Sequence, residues 1–284
     1  MTVPVIDAHH HLWDPARAVY PWMTEALDPI RRRFGVDDLV PLLDAAGVDA
    51  SVLVQTRSSS DESREFLATA AGTSRIAGVV AWTDLTGPAI DDDIASLRAA
   101  TGGDRLVGIR HQVHDEDDPE WLLQRDVRRG LAAVERAGLV YDLLVRAREM
   151  PVALEVVRAM PDQRFVIDHL AKPPIRDGAM SPWAELLEPF AELPNVTCKL
   201  SGLLTEADWS SWTIADLAPY VDRALALFGP DRMLFGSDWP VSLLAAPYQT
   251  VVDTARALLA GLSDDERAAV MGGTAAEVYD LRID

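Results

Sequence analysis

The chain has 284 residues, 49% of them hydrophobic, and a formal net charge of −19 at pH 7. This length and apolar content suit one large core, and so negative a surface excludes nucleic acid and acidic membranes as partners, because both repel it. A single cysteine, Cys198, rules out an internal disulfide framework. With no apolar run of bilayer length and no leader-like start, the expectation is a cytoplasmic protein without membrane contact.

The first apolar segment, residues 5–9, runs into His9-His10-His11 and then Leu12-Trp13-Asp14. Side chains two apart on a strand share a face, so His9 and His11 project together and His10 points the other way. Further β-rich runs lie at 50–55, 76–82, 106–112, 140–145, 164–170, 196–201 and 233–238. Helical patterns separate them at 37–46, 62–71, 91–100, 127–137, 150–160, 183–193, 214–228 and 250–259. Alternating strands and helices predict a parallel sheet, and near-continuous apolar strands predict burial on both faces. Eight such units in a chain of this length predict the α/β class and a single (β/α)8 TIM barrel, one domain over residues 1–284. An open doubly wound sheet would bring a glycine-rich phosphate loop after the first strand, where this chain has histidines, so no nucleotide cofactor is expected. Residues 263–281 read as two short helices around Gly272-Gly273 that close the barrel's outer face. The acidic runs 91–93 and 115–118 read as solvated charge.

Chemistry in such barrels sits at the C-terminal ends of the strands. Those ends carry His9 and His11, then Arg110 and His111, then His169 and Lys172, Lys199, and Asp238. Asp142 falls near the start of its strand and so low in the barrel. Lysine occurs only as Lys172 and Lys199, both at adjacent strand ends, as cavity groups or as buried salt bridges to Asp168 or Asp142. Polar groups avoid buried strands unless paired or functional, so this concentration points to a site closed by the two ends of the chain. Trp13, Trp22, Trp209 and Trp239 lie in the following loops, where they either stack on a sugar-like ring or pack the loops.

Several segments carry a resemblance. Ile6-Asp7-Ala8-His9-His10-His11-Leu12-Trp13-Asp14, Gly108-Ile109-Arg110-His111-Gln112 and Asp168-His169-Leu170-Ala171-Lys172-Pro173 resemble the amidohydrolase superfamily, specifically its family-2 sugar-lactone hydrolases. Tyr20-Pro21-Trp22, Tyr141-Asp142-Leu143-Leu144, Cys198-Lys199-Leu200-Ser201-Gly202-Leu203 and Phe235-Gly236-Ser237-Asp238-Trp239-Pro240 do likewise, and the likeness runs from residue 3 to 281. That group includes L-fuconolactone and L-rhamnonolactone hydrolases, with sulfomuconolactone and pyrone-dicarboxylate lactonases as relatives. The resemblance implies a TIM-barrel lactonase with His9, His11, His169 and Asp238 on the catalytic pattern. By position it implies Arg110, His111, Lys172 and Lys199 as substrate binders; Trp22 and Trp239 join them as substrate-binding candidates from their place in the loops. Binuclear members of the superfamily place a carboxylated lysine or glutamate on strand four and histidines on strands five and six. Here strand four ends Arg110-His111 and strand five has no histidine, so two metals are not expected.

The expected reaction is hydrolytic opening of a sugar-acid lactone, with Asp238 as general base toward water. One divalent ion, zinc by ligand type, would sit on His9, His11 and Asp238; metal-free catalysis is the alternative. No nucleophile elbow is present, and Cys198 lies inside a predicted strand, so covalent hydrolysis is not expected. Rival readings are a zinc-dependent decarboxylase of an unsaturated acid, a lactonase of muconolactone or pyrone type, and a non-catalytic binding barrel. The expected partner is a small-molecule lactone; a homo-oligomer is allowed but not specified.

Overall fold

The computed structural model describes residues 3–283. Eight parallel strands pair in chain order: β1 Ile6–His10, β2 Ala50–Val54, β3 Ile76–Ala81, β4 Leu106–His111, β5 Val140–Leu143, β6 Phe165–Ile167, β7 Val196–Leu200 and β8 Met233–Phe235. Past the end of the β8 ladder, the chain bonds back to the first strand. Asp238 N–H donates to the His9 carbonyl at 2.8 Å, and His11 N–H donates to the Trp239 carbonyl at 2.7 Å. The seam that closes the barrel is therefore made by the backbone of the candidate site itself.

The two-residue period of the strands divides the apolar residues into two sets. Ile6, Ala8, Val52, Val54, Val80, Val140, Val166 and Leu234 fill the barrel interior. The alternate residues pack outward against the helices, among them Leu53, Val79, Ile109, Tyr141, Phe165 and Phe235. Among the described residues, eleven α-helices surround the strands: α1 Val36–Ala46, α2 Ser60–Ala71, α3 Ile90–Ala99, α4 Arg125–Arg136, α5 Met150–Ala159, α6 Trp183–Ala191, α7 Leu203–Glu206, α8 Ile214–Phe228, α9 Tyr248–Leu258, α10 Asp264–Ala268 and α11 Thr274–Val278. Their starts carry local signals. The Ser59 hydroxyl accepts the Glu62 N–H at the head of α2, and Thr213 with Asp216 forms a capping box before α8. Among the described residues, no helix is long and apolar enough to cross a membrane.

Two expectations need correction. The tail does form two short helices, α10 and α11, joined by a π-helical turn at Ala269–Gly273. It does not cover the outer face: Ala275 and Tyr279 join the interior cluster, so the tail plugs the end of the barrel remote from the site. The strands β6 and β8 are also shorter than the apolar runs suggest. The chain leaves β6 at Asp168 and enters a left-handed turn in which His169, Leu170, Ala171 and Lys172 have φ of 54°, 51°, 56° and 51°. Asp238, beyond the end of β8, has φ 55°. Left-handed backbone costs a non-glycine residue about 1–2 kcal/mol, which tight tertiary packing must offset. Here Leu170 and Ala171 are fully buried, and the Leu170 carbonyl accepts the Trp183 indole N–H at 2.6 Å.

Candidate active site

β1 brings the two imidazoles together, His9 Nε2 and His11 Nε2 lying 3.1 Å apart, because its register is broken between Asp7 and His10 and His9 follows Ala8 into the barrel. His10 takes no part; it is buried, with both ring nitrogens lacking a partner among the described residues. His11 Nδ1 lies 2.7 Å from the Val54 carbonyl, an acceptor only, so Nδ1 carries a proton and Nε2 is the ring nitrogen turned toward His9 and Asp238. Asp238 Oδ1 is 3.5 Å from His11 Nε2 and 3.9 Å from His9 Nε2. Either a proton or a cation must lie between two imidazole nitrogens this close. The three donor atoms fit one divalent cation, with nitrogen and carboxylate ligands of the type zinc accepts.

Beneath His9 lies a fully buried ionic network. Lys199 Nζ is 2.5 Å from Asp142 Oδ2, 3.0 Å from Asp168 Oδ1 and 3.2 Å from His9 Nδ1. Arg110 Nη1 is 2.9 Å from Asp168 Oδ2 and 3.2 Å from His9 Nε2. Tyr279, from the plug, donates its hydroxyl to Asp142 at 2.9 Å. Burial first, and then the neighbouring Lys199 and His169, hold the His9 imidazolium far below its ordinary pKa, against the opposing pull of Asp168. His9 is accordingly a neutral imidazole. Burial alone would raise the Asp168 carboxyl, but Lys199, His9 and Arg110 outweigh it and keep Asp168 ionised.

His169 completes the cluster. Its ring centroid is 4.4 Å from that of His9, and its Nδ1 is 2.9 Å from the Ser201 hydroxyl. Burial lowers its pKa to about 4. For Asp238, burial would raise the carboxyl; His169 and His11 beside it prevail and hold it below the usual carboxylate range. Two glycines make room for the rings. A Cβ at Gly202, where φ is +66°, would stand 2.5 Å from His169 Nδ1, and one at Gly236 would stand 2.5 Å from His9 Cβ. Gly236→Ala is therefore expected to destabilise the fold by about 1–3 kcal/mol through overpacking against His9. Urea unfolding checks it; an unchanged midpoint would mean that β1 can shift to accept the methyl group.

A cavity of about 290 Å³ opens above these groups. His11, Arg110, His169, Lys172, Asp238 and Trp22 line it, six of the ten residues expected from sequence. His9 and Lys199 lie below it, His9 within reach of Asp238 and Lys199 as a structural ion pair with Asp142 and Asp168. Lys172 is ion-paired with Glu206 on the cavity wall. Two expected binders are elsewhere. His111 is the residue after inward-facing Arg110, so the strand period turns it out; it stacks on Trp121 at 4.2 Å and pairs with Glu116. Trp239 is buried, packed edge-on against Phe34 at 5.3 Å. Of the loop tryptophans, Trp22 and Trp209 line the cavity, whereas Trp13 is packed among Tyr20, Trp22 and Phe34. Gln112, which ends the fourth apolar run, also lines it, as do His114, Arg146 and Glu206, which sequence reasoning missed. Arg146 could have been found as the first charged residue after the fifth apolar run. A larger cleft of about 620 Å³ beside α1 and α2 holds none of the clustered histidines.

A family model described as amidohydrolase matches residues 6–281. An L-fucono-1,5-lactonase of Burkholderia multivorans is 39% identical over 97% of this chain and 96% of its own length. An L-fucono-1,5-lactonase of Burkholderia ambifaria is 38% identical over 97% and 95%. A crystal structure of an amidohydrolase from Burkholderia multivorans with bound zinc superposes with a TM-score of 0.93 at 38% identity, covering 98% of this chain and all of that one.

Proposed function

The chain belongs to the amidohydrolase family, and from that premise we propose that it is a lactonase that opens a sugar-acid lactone, with L-fucono-1,5-lactone as the leading substrate. The observation that carries this reading is the convergence of His9, His11 and the Asp238 carboxylate at the floor of one cavity, in a chain similar over nearly its whole length to two L-fucono-1,5-lactonases.

Asp238 takes a proton from water as the water oxygen bonds to the lactone carbonyl carbon. The resulting oxyanion faces Arg110 and Lys172, cationic donors on the cavity wall. Collapse breaks the bond to the ring oxygen, and protonated Asp238 returns its proton to that oxygen. His169, neutral and anchored by Ser201, orients the water and the leaving oxygen through its free ring nitrogen. The new carboxylic acid then ionises, so each turnover releases one proton. A divalent ion on His9, His11 and Asp238, zinc by ligand type, would act there as a Lewis acid toward the carbonyl.

The ionisable groups fix an expected pH profile. Asp238 and His169 act deprotonated, and both have lowered pKa values, His169 to about 4. The active form therefore persists as pH falls and is lost only near and below about pH 4. Neither Asp238 nor His169 is expected to give the kcat/KM profile an inflection near the ordinary histidine pKa of about 6.5. A pronounced loss between pH 7 and 6 would contradict the neutral-histidine assignment. The substrate reading is tested by acid release from L-fucono-1,5-lactone and L-rhamnono-1,4-lactone side by side. A preference for the six-membered ring supports it; exclusive action on the five-membered ring would replace it.

A further inference from the structure

The cationic groups at the cavity are not equivalent. Arg110 also holds an ion pair with Asp168 at 2.9 Å and a bond to the Gln55 carbonyl. Lys172 shares its charge with Glu206. His114, largely buried, has its pKa lowered to about 3 by burial and then by the nearby Lys172, Arg146 and Arg110, so it is uncharged. Arg146 alone among these keeps a guanidinium with no hydrogen bond and no ion pair among the described residues, although its backbone N–H is held by Glu149 at 2.9 Å. It sits just past β5, and it lines both the 290 Å³ cavity and an adjoining outer cleft of about 810 Å³. Trp22, Gln112 and His114 share that junction.

A lactone whose carbonyl sits over Asp238 leaves the far side of its ring to meet other parts of the cavity wall. That wall is divided. Leu27, Leu144, Val241 and Leu244 are apolar, whereas Gln112 and Arg146 are polar. A guanidinium is a planar fork of donors, matched to two acceptor oxygens on neighbouring atoms. Adjacent hydroxyls of a polyol supply that pattern, and an unhydroxylated ring supplies none. Resting on the lactonase reading, we propose that Arg146 is a specificity-determining residue that binds the hydroxyls of the substrate remote from the scissile carbonyl. The site thereby selects polyhydroxylated lactones over plain cyclic esters.

The test is steady-state kinetics of the wild type, Arg146→Met and Arg146→Lys on two substrates. One is L-fucono-1,5-lactone; the other is δ-valerolactone, which keeps the six-membered ring and carbonyl and lacks every hydroxyl. On the sugar lactone, Arg146→Met is expected to lose roughly 10- to 100-fold in kcat/KM, carried by KM, with partial recovery in Arg146→Lys. On δ-valerolactone both variants should match the wild type within about two-fold. An equal loss on both lactones, or a fall in kcat at unchanged KM on the sugar lactone, would overturn the proposal. Failure of the underlying reading looks different: the wild type would accelerate neither lactone, and the proposal would fall with it.

Discussion

Asp238→Asn is expected to lower lactone turnover by at least roughly 100-fold while the fold persists, because removal of a general base typically costs about 10² to 10⁴. The fold should tolerate the change for local reasons. Asparagine is isosteric, and it is among the few residues that accept a φ of 55° readily. The Asp238 N–H that closes the barrel onto His9 is backbone and is untouched. Only the carboxylate is lost, and with it the proton acceptor that lies 3.5 Å from His11 Nε2. Kinetics with circular dichroism on the same preparation separate the two effects. Near-normal turnover in a folded variant would move the base elsewhere in the cluster.

The second large effect falls on stability. Lys199→Met should destabilise the protein by about 3–5 kcal/mol, the usual cost of leaving a buried charge without its partner. Asp142 and Asp168 would then be buried carboxylates without the ammonium between them. Their folded-state pKa values would rise above the unfolded value. Stability in the variant would be present at low pH and lost as pH rises through the raised values, so the defect should be smaller at pH 5 than at pH 8. Urea denaturation at the two pH values reads this directly. Lys172→Met is the contrast. Its ammonium pairs with Glu206 at the cavity edge, so it should cost at most about 1 kcal/mol and weaken turnover instead. Equal stability losses in the two variants would show that the buried network is not the anchor of His9.

These two lysines also show what sequence can and cannot reveal. Their position at adjacent strand ends was legible, because the strand pattern is regular and lysine is otherwise absent. Their opposite roles were not, since one lies inside the barrel and the other in a left-handed turn that no hydrophobic periodicity marks. The eight strands and the order of elements followed from period and spacing, and so did the pairing of His9 with His11. The same two-residue rule, applied to Arg110-His111, would have turned His111 away from the site. Trp239 was misjudged for a different reason: its backbone is used to close the barrel, which fixes its side chain in the packed layer against Phe34. Tyr279 could not be found by motif, because its link to Asp142 spans 137 positions and depends on the tail entering the barrel.

The most direct test of the account is proton release from L-fucono-1,5-lactone in weakly buffered solution containing the wild-type protein. One proton per lactone consumed is expected, at a rate well above spontaneous opening, with the open-chain acid as the sole product. Release of carbon dioxide, or a rate no faster than the protein-free control, would contradict it.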